Sequence, residues 1–205
     1  MNCRLSAMAS ATIAALAIVT ASNANLIVNG DFEAGLTGFT TDYLSNDVIN
    51  DLGSYIDTTN PSFEHPAAAD YTDHTTGSGR MLMFNGDAGQ GVAWRQTVAV
   101  SPGQTYDFSM WVSSWFFQNL ADTQLRINDV NVGSPFEASA PLGTWEQFTA
   151  QWNSGSATSA KIELINLSTA VTGNDFAFDD ISFVPEPSSL ALLGLGALVV
   201  VRRRR

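Results

Sequence analysis

Cysteine is almost missing from this 205-residue chain: Cys3 is the only one. A single thiol closes no intrachain disulfide and builds no multi-cysteine metal site, so a domain here must be held by burial alone. Basic residues are scarce too. Nine Lys and Arg stand against twenty Asp and Glu, for a net charge of −11. Five of the nine sit at the extremes, as Arg4 and Arg202 to Arg205; residues 25–184 keep only Arg80, Arg95, Arg126 and Lys161 against nineteen acids. Such a balance excludes nucleic acid as a partner, because phosphate binding needs clustered cations. Neutral sugars, cations and basic surfaces stay open, and acidity also keeps an exported protein soluble. Helical periodicity, heptads and internal repeats are absent as well. Nothing matches a nucleophile elbow, a zinc-protease helix or a phosphate loop, and the expectation is a protein that is not an enzyme.

What is present at the two ends is apolar. Arg4 precedes a run of small and apolar residues, Ala7 to Thr20, and Ser22-Asn23-Ala24 offers small residues at a cleavage site. Residues 1–24 therefore read as a signal peptide cut after Ala24, and Cys3 leaves with it. At the other end Pro185-Glu186-Pro187 leads into twelve apolar residues, Leu190 to Val201, and then into four arginines. Twelve residues make a helix of about 18 Å, against a hydrocarbon core of about 30 Å. Gly194 and Gly196 weaken that helix further. The segment reads as a transient membrane anchor with its arginines cytoplasmic; an ordinary single-span tail anchor is the alternative. The tripeptide, apolar run and cationic stop, in that order over residues 185–205, resemble the PEP-CTERM sorting signal of exopolysaccharide-producing bacteria. The resemblance implies an exosortase-type processing enzyme as partner. It also implies export with transient inner-membrane anchoring, and a final place on the cell surface, in the outer envelope or in the extracellular matrix.

Residues 25–184 alternate in short runs between Gly, Asn, Asp, Ser and Pro, the pattern of an all-β domain. Strands are predicted over residues 26–28, 80–84, 93–100, 105–112, 123–127, 130–132, 145–152, 160–166 and 176–184. Ser101-Pro102-Gly103-Gln104 is predicted to turn, with Pro at i+1 and Gly at i+2. Residues 40–78 are less regular and predict long loops with one or two edge strands, Tyr43–Ile49 among them.

Three stretches carry a second resemblance. They are Asn25-Leu26-Ile27-Val28-Asn29-Gly30-Asp31-Phe32-Glu33, the segment from Gly77-Ser78-Gly79-Arg80 through Trp94-Arg95-Gln96 to Pro102-Gly103-Gln104, and Gly143-Thr144-Trp145-Glu146 with a closing Asp179-Asp180-Ile181-Ser182-Phe183. Together they resemble the jelly-roll carbohydrate-binding modules of families four, nine and twenty-two. That implies a two-sheet antiparallel β-sandwich (jelly roll) with a structural calcium ion (Ca2+) and a sugar-binding face. Carried over by position, Glu33 and one of Asp179 and Asp180 supply carboxylate oxygens, and Asp31 and a residue near Gly79-Arg80 supply carbonyls, the hard donors calcium requires. Neighbouring strand residues point to opposite faces, so both aspartates ligate only across a bulge; Asp180 is the preferred one.

For the sugar, alternation along 105–112 turns Trp111 off the core, and along 123–128 it turns Gln124 and Arg126 outward. Trp111 with Gln124 and Arg126 is the predicted face. The run Trp115-Phe116-Phe117-Gln118-Asn119 reads as a loop of exposed aromatics and a second candidate contact, with Trp115 as its named residue; the alternative is that Trp115 and Phe117 plug the end of the sandwich. Trp94 and Trp145 are predicted to be structural. Glu64, His65, Asp70, Asp73 and His74 crowd one loop, but Pro66 breaks any helix that would align them, so a solvated loop is expected rather than a metal site. The function expected is a non-catalytic, exported surface or matrix protein that binds polysaccharide. A structural or adhesive matrix protein without sugar specificity, and a small glycan hydrolase, are the alternatives.

Overall fold

The alternation seen in the sequence becomes two stacked sheets. A computed structural model describes residues 24–45, 49–89 and 91–187. The expected leader up to residue 23, and the apolar run and arginine stop of the tail, lie outside the described residues. In chain order the elements are β1 (Leu44–Ser45), β2 (Ser54–Thr58), α1 (Pro61–Glu64), β3 (Met81–Phe84), β4 (Val92–Ala99), β5 (Thr105–Ser114), β6 (Asp122–Ile127), β7 (Val130–Asn131), β8 (Phe136–Glu137), β9 (Glu146–Asn153), β10 (Ser159–Asn166) and β11 (Phe176–Pro185). One sheet runs β1-β2-β3-β11-β5-β9 and the other β4-β10-β6-β7, with β8 also on β6. From β3 onward the chain crosses repeatedly between the sheets. All pairings are antiparallel except β1 with β2. This is an all-β jelly-roll sandwich. Among the described residues no helix is long and apolar enough to cross a membrane.

Packing follows period two. Tyr106, Phe108, Met110 and Val112 of β5 are buried between the sheets, facing Trp94, Leu125, Ile127, Ile162 and Leu164. Phe84 stacks on Phe176 at 4.8 Å, and Tyr106 on Phe183 at 4.9 Å. Gly103 takes the left-handed φ of +73° that the predicted turn demands.

One expectation is corrected and another is extended. Residues 26–28 form no strand. Their backbone contact with β11 is confined to Leu26, whose amide donates to the Phe183 carbonyl, with Gly30 accepting from the Ile181 amide further on; the Asn25 side chain adds to it, donating from Nδ2 to the Ile181 carbonyl and accepting from the Phe183 amide. Gly30 presses so close that a Cβ there would lie 2.1 Å from the Ile181 oxygen, so this turn and β11 meet backbone to backbone. The segment 40–78 carries the edge strands expected of it, β1 within residues 43–49 and β2 beside β3, and adds α1, which starts on an Asn60 cap with Pro61 in its first turn. It also covers the outer face of the six-stranded sheet. Met81 and Met83 point there while Leu82 and Phe84 face the core, and Met83 packs with Ile49 and Trp115 in a second small core. The unbroken apolar run of β3 is the sequence mark of burial on both faces.

A polar cluster lies at the start of β11. Asn166 Nδ2 donates to the Tyr43 hydroxyl and to Asn174 Oδ1, and the Gly86 amide donates to Asp175 Oδ1 at 2.7 Å. Burial pushes the Asp175 carboxyl up to about 6, although the Gly86 hydrogen bond pulls the other way.

Candidate functional site

The N-terminal turn is built by Asn29. At φ +56°, its Nδ2 donates to the carbonyls of Gly35 and Thr37, and its Oδ1 accepts from Ala34. The turn and the last strand enclose a shallow cleft of ≈ 290 Å³, with Asp31 and Asp180 among its walls. The bulge that two adjacent ligands would require is present. Register shifts between Asp179 and Ser182, and Asp180 adopts a φ of +47°. Both carboxylates thereby reach the same segment: Thr75 Oγ1 donates to Asp179 at 3.2 Å and to Asp180 at 2.8 Å.

These oxygens are already engaged. Asp179 is fully buried and accepts from the amides of His74, Thr75 and Asp180. Burial outweighs those bonds and pushes it up to about 7. Asp180 meets His74 Nδ1 at 2.6 Å. Glu33 accepts from the Arg80 amide, and Asp73 from Thr76 and Gly79. Among the described residues no three carboxylate, imidazole or thiol side chains converge on one point. Carboxylate and carbonyl oxygens are the donors calcium takes, but the side chains as placed clamp the loop at His74-Thr75 to β11.

His74 also lies flat on Trp111, with ring centres 3.8 Å apart, and Trp145 meets it edge-on at 6.0 Å. Trp145 donates to the Thr72 carbonyl. Trp111 does turn off the core, yet a loop far away in sequence covers it. The predicted sugar face does not assemble. Trp111 belongs to β5 in the six-stranded sheet, whereas Gln124 and Arg126 belong to β6 in the other sheet and face away on the opposite side of the sandwich. Gln124 is buried, and its amide donates to the Leu125 and Val132 carbonyls. Arg126 points outward but is tied to Glu163 at 2.8 Å, with Arg95 on the other oxygen at 2.7 Å. Register sets this ladder, since Glu163 lies opposite both arginines. Burial works against the Glu163 charge, but the two arginine hydrogen bonds outweigh it and hold its pKa below the ordinary glutamate value. Lys161 is neutralised by Asp129 in turn. The cations on this face thus answer anions already present.

Trp115 is corrected as well. It is 1% exposed, donates from its indole to the Phe84 carbonyl, and plugs the second core. Its neighbour Phe117 is instead 66% exposed. That ring packs against Phe116 at 4.7 Å on a loop pinned to residues 172–174: Asn119 donates to Thr172, and Asn174 to the Gln118 carbonyl. In the acidic loop Glu64 accepts from Thr58, Asp70 from Asn60, and His65 packs on Trp115.

Residues 183–205 match the PEP-CTERM protein-sorting motif. The chain carries that sorting motif behind a jelly-roll domain. No curated protein matches it. Solved structures match its fold. The CBM22-1 xylan-binding domain of Paenibacillus barcinonensis Xyn10C aligns with a TM-score of 0.54 at 14% identity, over 80% of this chain and 97% of that one. TmCBM61, solved with β-1,4-galactotriose, aligns at 0.55 and 17% identity, over 80% and 99%. The arabinose-bound α-L-arabinofuranosidase MgGH51 aligns at 0.54 and 14% identity over 80% of this chain, but over only 26% of its own length. The fold is that of carbohydrate-binding modules.

Proposed function

We propose that the protein is an exported, non-catalytic component of the cell surface or extracellular matrix that binds neutral polysaccharide, and that an exosortase-type enzyme processes its tail. The observation that carries the binding is Phe117, a bare aromatic ring on a pinned loop of a carbohydrate-module fold. Apolar sugar faces stack on such rings, and Gln118 follows Phe117 in the chain with an amide side chain. Phe117→Ala is expected to weaken retention on a bound polysaccharide about tenfold, equivalent to about 1.4 kcal/mol, while leaving the melting temperature unchanged. Trp111→Ala is expected to lower the melting temperature instead, because it removes the surface under His74. Affinity electrophoresis through glucan, xylan and galactan gels separates the two, and equal retention of Phe117→Ala and wild type removes Phe117 from the reading.

The same reading includes a structural calcium ion beside the N-terminal turn, using Glu33, the Asp31 carbonyl and the Asp179-Asp180 bulge. An ion that binds only the folded state stabilises it by mass action. Chelation is then expected to lower the melting temperature of wild type but not of Glu33→Ala. Superimposable melting curves with and without chelator count against the ion.

A further inference from the structure

The sorting tripeptide is part of the fold. Pro185 is the last residue of β11, opposite Tyr106. The ladder continues one step beyond it, since the Glu186 amide donates to the Thr105 carbonyl at 2.9 Å. Two glutamines complete the hold. Gln104 Nε2 donates to the Glu186 carbonyl at 3.0 Å, and Gln151 Nε2 donates to Glu186 Oε1 at 2.6 Å and to Asp107 Oδ1 at 2.9 Å. The amide, carbonyl and carboxylate of the motif's acid are therefore all spent on the domain. Only Pro187, Ser188 and Ser189 separate Glu186 from the apolar run that starts at Leu190. At most roughly 3.6 Å per residue, those four steps reach about 14 Å. A tether of that length leaves little slack for an enzyme to reach the tripeptide without lifting it from β5.

We propose that the folded domain shields its own sorting tripeptide, and that release of Glu186 from Gln104 and Gln151 is the step that admits the processing enzyme. A protease that takes its substrate as an extended strand must pair with the same backbone groups, and β5 already occupies them. Unfolding of the domain is not required: fraying Pro185 and Glu186 from β5 frees the motif at little cost, as strand ends do. Gln104 and Gln151 thus set the rate of sorting without touching the enzyme. This inference rests on the sorting reading above.

Two readouts on the full chain test it. Hydrogen exchange reports docking directly, and the Glu186 amide is expected to be protected in wild type and to exchange at least tenfold faster in Gln104→Ala/Gln151→Ala. An unprotected wild-type amide overturns the inference. A pulse-chase in a producing cell then follows conversion of full-length to tail-less protein, and the double variant is expected to be converted severalfold faster. Conversion at an unchanged or slower rate, with Glu186 protection lost, overturns shielding while leaving the sorting reading intact. Absence of any conversion in wild type sinks the sorting reading itself and this inference with it. Gln151→Glu, which sets two carboxylates against each other, supplies a second undocking variant if the double variant folds poorly.

Discussion

Replacing Asp175 with asparagine is expected to flatten the pH dependence of stability by about 3 kcal/mol. The wild-type carboxyl is 5% exposed and is pushed from 3.8 to about 6, first by burial. A group whose pKa is raised by folding holds its proton more tightly in the native state. Its contribution is fully present below about pH 4, declines as pH rises, and is gone above about pH 6 to 7. The rise from 3.8 to about 6, at about 1.36 kcal/mol per pH unit, gives the size. Asparagine keeps an oxygen for the Gly86 amide and carries no charge at any pH. Urea denaturation of both proteins at pH 4, 5, 6 and 7.5 should show the variant gaining on wild type across that window. Parallel pH profiles would mean that Asp175 is solvated.

Glu163→Ala is expected to cost about 2 kcal/mol at neutral pH. Glu163 is 1% exposed and accepts charge-assisted hydrogen bonds from Arg95 and Arg126, each typically worth about 1.5–3 kcal/mol. Losing both without relief would exceed the figure given. The two arginines are about a third exposed, however, so water recovers part of the loss. Lys161 lies 3.7 Å from the same carboxylate and is left with Asp129. The pH signature is opposite to that of Asp175. A pKa lowered by folding contributes stability above the unfolded value and loses it as pH falls, so the deficit of Glu163→Ala should shrink on acidification. Chemical denaturation at pH 7 and pH 4 measures both the cost and its direction; a variant as stable as wild type at pH 7 would mean that the ladder is idle.

The strands that form the sandwich were legible because one of their faces is buried and the other is not. β5 shows this most plainly, since Tyr106, Phe108, Met110 and Val112 all point to the core. Where pairing is too sparse to make a ladder, alternation misleads: residues 26–28 read as a strand, although only Leu26 among them pairs with β11, and Asn25 and Gly30 make the flanking contacts. Outward direction was legible for Trp111, but its cover was not. His74 stacks on it from a loop 37 residues upstream that the bulge at Asp179-Asp180 holds in place. Pairing Trp111 with Arg126 failed for a related reason: direction relative to a strand says nothing about which sheet the strand joins. Glu163 carried no signal of its own, because an acid at an outward position reads as solvated until register sets Arg95 and Arg126 on either side of it. The run that holds Phe117 was legible as a candidate, but which of its rings is exposed was not. In Trp115-Phe116-Phe117 the larger indole, able to donate to Phe84, takes the buried place and leaves an outer ring bare.

Isothermal titration of the exported protein with neutral soluble polysaccharides, including that of the producing cell, bears most directly on the proposal that this jelly roll binds sugar polymer. At least one polymer is expected to give saturable binding that Phe117→Ala weakens and Trp111→Ala does not abolish at temperatures where it stays folded. A folded protein that gives no heat with any of them would contradict it, and would leave a matrix scaffold in its place.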